Sequence, residues 1–154
     1  MFLKGFPLEL KIKNLIHKET QVKEKRIYLT VKNVYSLPAG GKIDFSGKEL
    51  VVGEKKPILP EKASSEEKYG WWHLKQGVYL VEFNETFHLD SGEIALIQPR
   101  EELLENLSFH PTLLFFPEDK IPLIPLVVGP CGISIKQNAR ISVLFVVSTG
   151  KEKL

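Results

Sequence analysis

The chain has 154 residues, of which 26% are charged, and its formal net charge is +2. This length predicts a single domain over 1–154, and the near balance of charges argues against the basic stripe of a nucleic-acid-binding protein. No apolar stretch approaches the ~20 residues of a membrane helix and no signal peptide is recognisable, so we expect a cytoplasmic protein with no membrane partner.

The first half of the chain contains strand patterns separated by turn signals. Apolar and polar residues alternate over 8–13 and again over 26–32, which is typical of half-buried strands. A turn is predicted at 38–41, and two short strands are predicted at 43–45 and 49–52 around Gly47. The polar segment 57–70 contains Pro60 and several Glu and Lys residues, and it is predicted to be a mobile loop.

The second half is also rich in strands. Period-two or continuous apolar runs occur at 77–83, 93–98, 123–128, 133–136 and 140–147. Pro125 interrupts one of them and predicts an edge strand or a bulge. Only residues 100–107 have helical spacing. Many short strands with turns between them predict an all-β fold, a jelly-roll-like sandwich or barrel with at most two short helices and a short C-terminal tail at 148–154.

General catalytic and metal-binding motifs are absent from the sequence. There is no Gly-rich loop followed by Lys-Ser/Thr, and the four histidines do not have metal-ligand spacing, so no metal site is expected. Trp71 and Trp72 are predicted to form an aromatic corner of the core or a subunit contact. The single cysteine, Cys131, excludes a disulfide within the chain, and its apolar neighbours predict a buried thiol. Abundant Lys and Glu, with one Met, favour a thermophilic source.

Five segments resemble, in the right order, motifs of the dUTPase/dCTP deaminase superfamily. The segment 77–86 is similar to the family's G-x-F-x-L-x-x-T-x-E strand, and 99–103 to its R-S-S-L phosphate motif. The segment 110–117 resembles H-A-T-A-G-W-I-D, and 137–144 resembles P-G-x-x-I-A-Q-L. Upstream, 41–45 resembles the S-x-D-L strand. The resemblance implies a homotrimer of jelly-roll-like subunits that binds pyrimidine deoxynucleotides between subunits.

The resemblance also implies a nucleotide site. Three residues match family positions of interest, so we expect nucleotide binding near Arg100, with Asp44 supporting it and Glu85 nearby. Arg100 is the strongest of the three candidates because a guanidinium can fork to two phosphate oxygens. A magnesium ion is expected only if a triphosphate binds.

Several functional positions of the family carry unsuitable residues here. The dUTPase aspartate falls on Pro117 and the deaminase glutamate on Val127, neither of which can transfer a proton. The phosphate-binding serines fall on Glu101 and Glu102. A carboxylate ~4 Å from a phosphate charge costs about 4 kcal/mol at an effective dielectric near 20. The pattern therefore predicts a divergent member with weak or no catalysis.

The sequence leaves three alternatives open. If the alignment shifts by one or two residues, Glu118 or Asp119 is the catalytic carboxylate of an active dUTP diphosphatase or dCTP deaminase. The segment 100–102 can also be a charged first turn of a short helix with no ligand, because acidic residues stabilise a helix N-terminus. The third alternative is an unrelated, non-enzymatic β-sandwich interaction module.

Overall fold

A computed structural model describes residues 8–121 and 123–148. Within these residues there are eleven strands and two short helices, α1 (Lys18–Gln21) and α2 (Glu101–Glu105), besides a helical turn at residues 8–9. The strands are β1 (Ile12–Lys13), β2 (Ile27–Ser36), β3 (Lys56–Ile58), β4 (Trp71–Leu74), β5 (Gly77–Phe83), β6 (Thr86–Phe87), β7 (Glu93–Pro99), β8 (Leu113–Phe115), β9 (Ile124–Val128), β10 (Ile133–Lys136) and β11 (Arg140–Ser148).

Seven strands form one antiparallel sheet. Its order is β8-β7-β11-β2-β5-β9, and β3 also pairs with β2. Two smaller antiparallel pairs, β4 with β10 and β1 with β6, complete the sheets of the described residues. The predicted all-β fold with short helices is confirmed. β9, the strand that contains Pro125, is the last in the order, which confirms the predicted edge position.

β2 is the strand that organises the sheet around the site described below. Its first half pairs with β11, its second half pairs with β5, and the register shifts between Val31 and Asn33. β11 in turn lies between β2 and β7, so that Val143 is opposite Tyr28 on one side and Gln98 on the other. The alternating apolar residues of these strands supply the core, including several fully buried side chains: Ile27, Leu29, Ala95, Ile97, Leu144 and Val146.

The prediction of a strand over 8–13 is wrong for its first half. The chain makes a helical turn at residues 8–9, and only Ile12–Lys13 is a strand. A strand would place Leu8, Leu10 and Ile12 on one face. Instead Leu8 and Ile12 are buried while Leu10 is 76% exposed.

The two short strands predicted at 43–45 and 49–52 are also absent. This segment is held by a single bridge between Lys42 and Val51, and Ile43 and Phe45 are almost fully exposed. The Asp44 carboxylate accepts hydrogen bonds from nearby groups in the same turn, a local alternative to strand pairing. β-Branched and aromatic residues therefore gave a strand signal where no sheet is available to bury them.

The predicted helix and the core position of Trp72 are confirmed, whereas the predicted burial of Cys131 is wrong. Residues 101–105 form the expected helix. Trp72 is buried and its indole N–H donates to the Ile58 carbonyl at 2.7 Å, which confirms a core role. Cys131 is exposed, so the prediction of a buried thiol is wrong. It follows Gly129 in a hydrogen-bonded turn that lies outside the core.

The predicted loop at 57–70 and the predicted tail at 148–154 are tested only in part by the structure. The loop at 57–70 is tied down at its ends, by β3 and by a bridge between Glu61 and Trp71, and its mobility stays a prediction. The predicted tail at 148–154 lies outside the described residues except for Ser148, which ends β11. Among the described residues, no helix is long and apolar enough to cross a membrane.

Candidate functional site

All three arginines of the chain surround the ring of Tyr28. The guanidinium carbons of Arg100, Arg26 and Arg140 lie 4.0, 5.7 and 5.9 Å from the ring centroid. The other 18 of the 21 basic residues are lysines. Arginine, with its planar fork of donors, is therefore confined to this one place, which we name the arginine cluster.

Strand pairing brings these distant residues together. Tyr28 lies on β2, one residue after the start of the strand, and Arg26 immediately precedes β2. Arg140 begins β11, which pairs with β2, and Arg100 follows β7, which pairs with the other side of β11. A register shift between Arg140 and Ser142 marks a bulge where β11 meets β2. Bulges re-aim side chains at functional edges.

The hydrogen bonds of the cluster leave its positive charges only partly compensated. Arg100 donates to the Glu102 carboxylate at 2.8 Å and to the Arg140 carbonyl at 3.4 Å. Arg26 donates to the Tyr28 hydroxyl at 3.2 Å, and Arg140 donates to the Thr20 carbonyl at 3.0 Å. Two unit charges ~10 Å apart repel by about 1.7 kcal/mol at an effective dielectric near 20. An anion placed among these guanidinium groups would relieve that repulsion.

A cavity of about 290 Å³ opens beside the cluster. It is lined by polar and charged side chains together with Tyr28 and Val143, and its charged residues are Arg26, Arg100, Glu101 and Glu102. The two glutamates occupy the first turn of α2, as predicted, with Arg100 at the N-cap position. The Glu102 side chain is 61% exposed and the Arg100 side chain 16% exposed. Solvent therefore screens the glutamate more than the arginine that stacks on Tyr28.

Glu85 lies elsewhere, in a buried polar network. Its carboxylate accepts the Thr30 backbone N–H at 2.7 Å, the Thr30 hydroxyl, and the Gln21 amide at 2.9 Å. Burial raises the pKa of the Glu85 carboxyl above its usual value, although these hydrogen bonds act in the opposite direction. Asn84 extends the network by donating to the Thr30 hydroxyl and to Asn138. This arrangement fastens β2 to the segment between β5 and β6.

Asp44 lies in the exposed segment between β2 and β3. Burial favours its neutral form, but hydrogen bonds from the Ser46 hydroxyl and the Glu49 backbone N–H prevail and lower the pKa of the Asp44 carboxyl. Its second carboxylate oxygen, Oδ1, is shielded from solvent and has no hydrogen-bond partner. Within one chain, Arg100, Glu85 and Asp44 line three different depressions. The structure therefore does not assemble them into one pocket, and their nucleotide binding stays a prediction.

The positions expected to transfer protons carry none of the required groups. Pro117 lies in a turn after β8, and Val127 lies within β9, where its backbone bridges to Phe109. Both neighbouring acids, Glu118 and Asp119, are exposed. One Asp119 oxygen accepts the Phe116 backbone N–H at 2.6 Å and so closes the turn.

Asp119 also lines a depression of about 490 Å³ together with Glu85, Glu82, Lys32 and Lys120. This is the one place in the described residues where an acid from the shifted alignment meets a buried carboxyl with a raised pKa. Such perturbed groups are typical of functional sites, although structural networks also produce them.

His110 is a buried histidine with a structural role. Nδ1 donates to the Pro111 carbonyl at 2.8 Å, which leaves Nε2 to accept from the Ser142 hydroxyl at 2.7 Å. Burial lowers the pKa of His110, so the neutral ring pins the start of β8 to β11. Within residues 8–121 and 123–148, no three His, Cys, Asp or Glu side chains converge as metal ligands.

Sequence reasoning identified Arg100 but missed Tyr28, Arg26 and Arg140 as parts of one site. The strand signals of 26–32 and 140–147 concealed them. One signal was present in the composition, since only three of 21 basic residues are arginines. Their convergence depends on the β2–β11–β7 pairing, which no local pattern specifies.

Comparison with known proteins supplies relatives along most of the chain. No protein-family model matches it. It is 28% identical over 143 residues to a protein of Methanosarcina mazei, the "Probable deoxyuridine 5'-triphosphate nucleotidohydrolase", covering 92% of this chain and 80% of the relative. A protein of the same description from Archaeoglobus fulgidus is 27% identical over 132 residues, covering 84% of this chain and 74% of the relative.

A solved structure shares the fold. The 2'-deoxycytidine 5'-triphosphate deaminase of Agrobacterium tumefaciens superposes with a TM-score of 0.65 over 94% of this chain, at 15% sequence identity. At that identity the likeness concerns the fold alone. The chain spans less than half of the deaminase, 46% of its length.

Proposed function

Because the chain belongs to the dUTPase/dCTP deaminase superfamily, we propose that it is a divergent member that binds pyrimidine deoxynucleotides with weak or no catalysis. Membership removes the alternative of an unrelated β-sandwich interaction module. The function is dUTPase/dCTP deaminase-like, in pyrimidine deoxynucleotide metabolism, and we place it in the cytoplasm.

The observation that carries the proposal is the chemistry at the two proton-transfer positions. Pro117 and Val127 stand where the family resemblance puts the catalytic carboxylates, and neither can accept or donate a proton. Loss of a general acid or base typically costs ~10²–10⁴-fold in rate. The Val127 backbone is hydrogen-bonded to Phe109 at 2.7 and 2.9 Å, so β9 is firmly paired at this residue.

Phosphate binding is assigned to the arginine cluster. A guanidinium binds phosphate through two parallel N–H···O bonds, and Arg100 already lies beside a cavity with Arg26. The Glu101 and Glu102 carboxylates at the same cavity weaken the attraction for highly charged ligands. Magnesium remains conditional on triphosphate binding, since no metal-ligand cluster exists among the described residues and the phosphates would have to supply most of the ligands.

We also propose a jelly-roll-like homotrimer, as the family resemblance implies. The apolar segments around β8 and β9 support an assembly: half of their side chains enter the core, while Leu114 and Phe116 are 51% and 53% exposed. Light scattering should give a mass near three times 17.5 kDa. A monomer mass at micromolar concentration would contradict the trimer.

The test of the proposed function is turnover. Purified protein is incubated with dUTP and with dCTP, and release of pyrophosphate and of ammonia is measured beside an active dUTPase as positive control. We expect rates indistinguishable from buffer. Turnover of either nucleotide by the unmodified protein would refute the silent assignment.

An active enzyme is the second candidate, and one observation favours it. Asp119 lines the same depression as Glu85, whose pKa is raised by burial. If the unmodified protein turns over either nucleotide and Asp119 is its catalytic carboxylate, Asp119→Asn abolishes that turnover, whereas Glu118→Gln leaves it unchanged. If Glu118 is the catalytic group, the two results are exchanged.

A further inference from the structure

The arginine cluster has the chemistry of a site for a single phosphoryl group. Lysine supplies the positive charge everywhere else in this chain, yet three arginines separated by 40 residues or more in sequence meet at Tyr28. Lysine suffices for a solvated surface charge, whereas arginine presents a rigid fork that matches two phosphate oxygens. Arg100 stacks at 4.0 Å on the ring, and its two terminal nitrogens donate to Glu102 and to the Arg140 carbonyl, so the plane of its guanidinium group is already oriented.

The charge balance of the cluster limits the charge of its ligand. Three arginines face two acids, Glu101 and Glu102, which leaves a surplus of one positive charge. A phosphomonoester carries about −1.5 to −2 at pH 7, so its charge exceeds this surplus by one unit at most. A triphosphate adds two further charged groups that would lie against the glutamates.

An apolar groove adjoins the cavity. It has a volume of about 430 Å³ and contains Trp71, Leu103 and Ile133, while Glu102 lines both the groove and the cavity beside Tyr28. Arg140 also lines the groove and reaches the Tyr28 ring. Trp71 is 38% exposed, and the Lys136 ammonium, which also lines the groove, lies over one face of its ring at 5.5 Å from the centroid. Aromatic side chains of this kind stack on nucleobases.

We propose that the cavity and the groove together bind a nucleoside monophosphate, with the phosphoryl group at the arginine cluster and the base against Trp71, in preference to the triphosphate. The proposal rests on the proposed function, since it specifies the ligand of the same site. It makes the protein a receptor for the monophosphate class that dUTP hydrolysis produces.

Titration calorimetry on the full chain tests the proposal with four ligands: dUMP, dUTP, deoxyribose 5-phosphate and inorganic phosphate. We expect dUMP to bind at least about tenfold more tightly than each of the others, the size of one charge-assisted contact or one stacked base. Equal or tighter binding of dUTP would overturn the preference, and no binding of dUMP would overturn the site. Tightest binding of inorganic phosphate would remove the base from the proposal and thereby refute it.

Two variants separate the halves of the site. Arg26→Lys keeps the charge but loses the fork of donors. We expect the affinities for dUMP and for inorganic phosphate both to fall by about tenfold. Trp71→Ala should reduce dUMP binding to the level of deoxyribose 5-phosphate and leave phosphate binding unchanged. A third variant, Glu102→Gln, removes one negative charge from the cavity and should reduce the difference in affinity between dUMP and dUTP. Unchanged dUMP affinity in Arg26→Lys or in Trp71→Ala would refute the assignment of that half.

Lys48→Ala is the matched control, because Lys48 lies in the exposed segment between β2 and β3, and its affinities should equal those of the unmodified protein. Circular dichroism and thermal unfolding establish that each variant is folded. Turnover of dUTP would refute the proposed loss of catalysis but not the preference for a monophosphate. Tighter binding of dUTP than of dUMP, without turnover, would refute the preference but not the proposed loss of catalysis.

Discussion

Replacing Glu85 by glutamine tests whether a buried, raised-pKa carboxyl fastens β2 to the β5–β6 segment. Glu85 is 1% exposed and accepts from Thr30 and Gln21. No ion pair of Glu85 with a cation occurs among the described residues. In Glu85→Gln, a new amide NH₂ faces the Gln21 NH₂, and a buried donor left without an acceptor costs about 1–3 kcal/mol.

The pH dependence supplies the sharper signal. Because the pKa of Glu85 in the folded protein lies above the usual value of 4.5, the native state binds more protons than the unfolded state between these two pKa values. The stability of the unmodified protein therefore falls as pH rises from 4.5 through the folded pKa. For each pKa unit between the folded and unfolded values, the free energy of unfolding falls by about 1.4 kcal/mol. Glu85→Gln lacks this loss, so its destabilisation relative to the unmodified protein is largest at low pH and shrinks as pH rises.

Urea unfolding followed by tryptophan fluorescence across this pH range measures the effect, since Trp72 is buried in the core. Glu66→Gln, at an exposed position, is the control and should follow the unmodified protein at every pH. If the stability difference between Glu85→Gln and the unmodified protein is constant with pH, the reasoning about Glu85 is refuted.

Three further predictions concern stability. Because burial lowers the pKa of His110, the unmodified protein should lose stability as pH falls from 6.5 through the folded pKa, and His110→Gln should show a smaller acid loss in the same urea titration. Trp72→Phe leaves the Ile58 carbonyl without its donor and should cost about 1–3 kcal/mol in urea unfolding; no loss would contradict the hydrogen bond. Gly129→Ala places a Cβ 2.2 Å from the Leu107 carbonyl oxygen, so the thermal midpoint should fall by several degrees, and an unchanged midpoint would contradict this close backbone approach.

The strands with sustained alternation could be predicted from the sequence. In β2 the buried Ile27, Leu29 and Val31 lie two residues apart, and this period of two is visible in the sequence. The alternation at 8–13 was misleading because Leu8 and Ile12 also have helical i, i+4 spacing, and their burial was decided by tertiary packing. The exposed Ile43 and Phe45 could not be distinguished from strand residues, since β-propensity measures fit to a sheet and not the presence of one.

The candidate site was only partly accessible to sequence reasoning. Arg100 was found through its motif and Glu101 and Glu102 through their helix position, because these are local features. Arg26 and Arg140 were missed because they reach Tyr28 through long-range strand pairing. Contacts of this kind depend on the register of three strands, and a register is specified only when the whole sheet forms.

The arginine cluster is tested most directly by a crystal structure of the full chain grown with dUMP. We expect the phosphate within hydrogen-bond distance of the Arg26 and Arg100 guanidinium groups, with the uracil ring against Trp71. A dUMP molecule bound instead in the depression of Glu85 and Asp119, with the arginine cluster unchanged, would contradict the account.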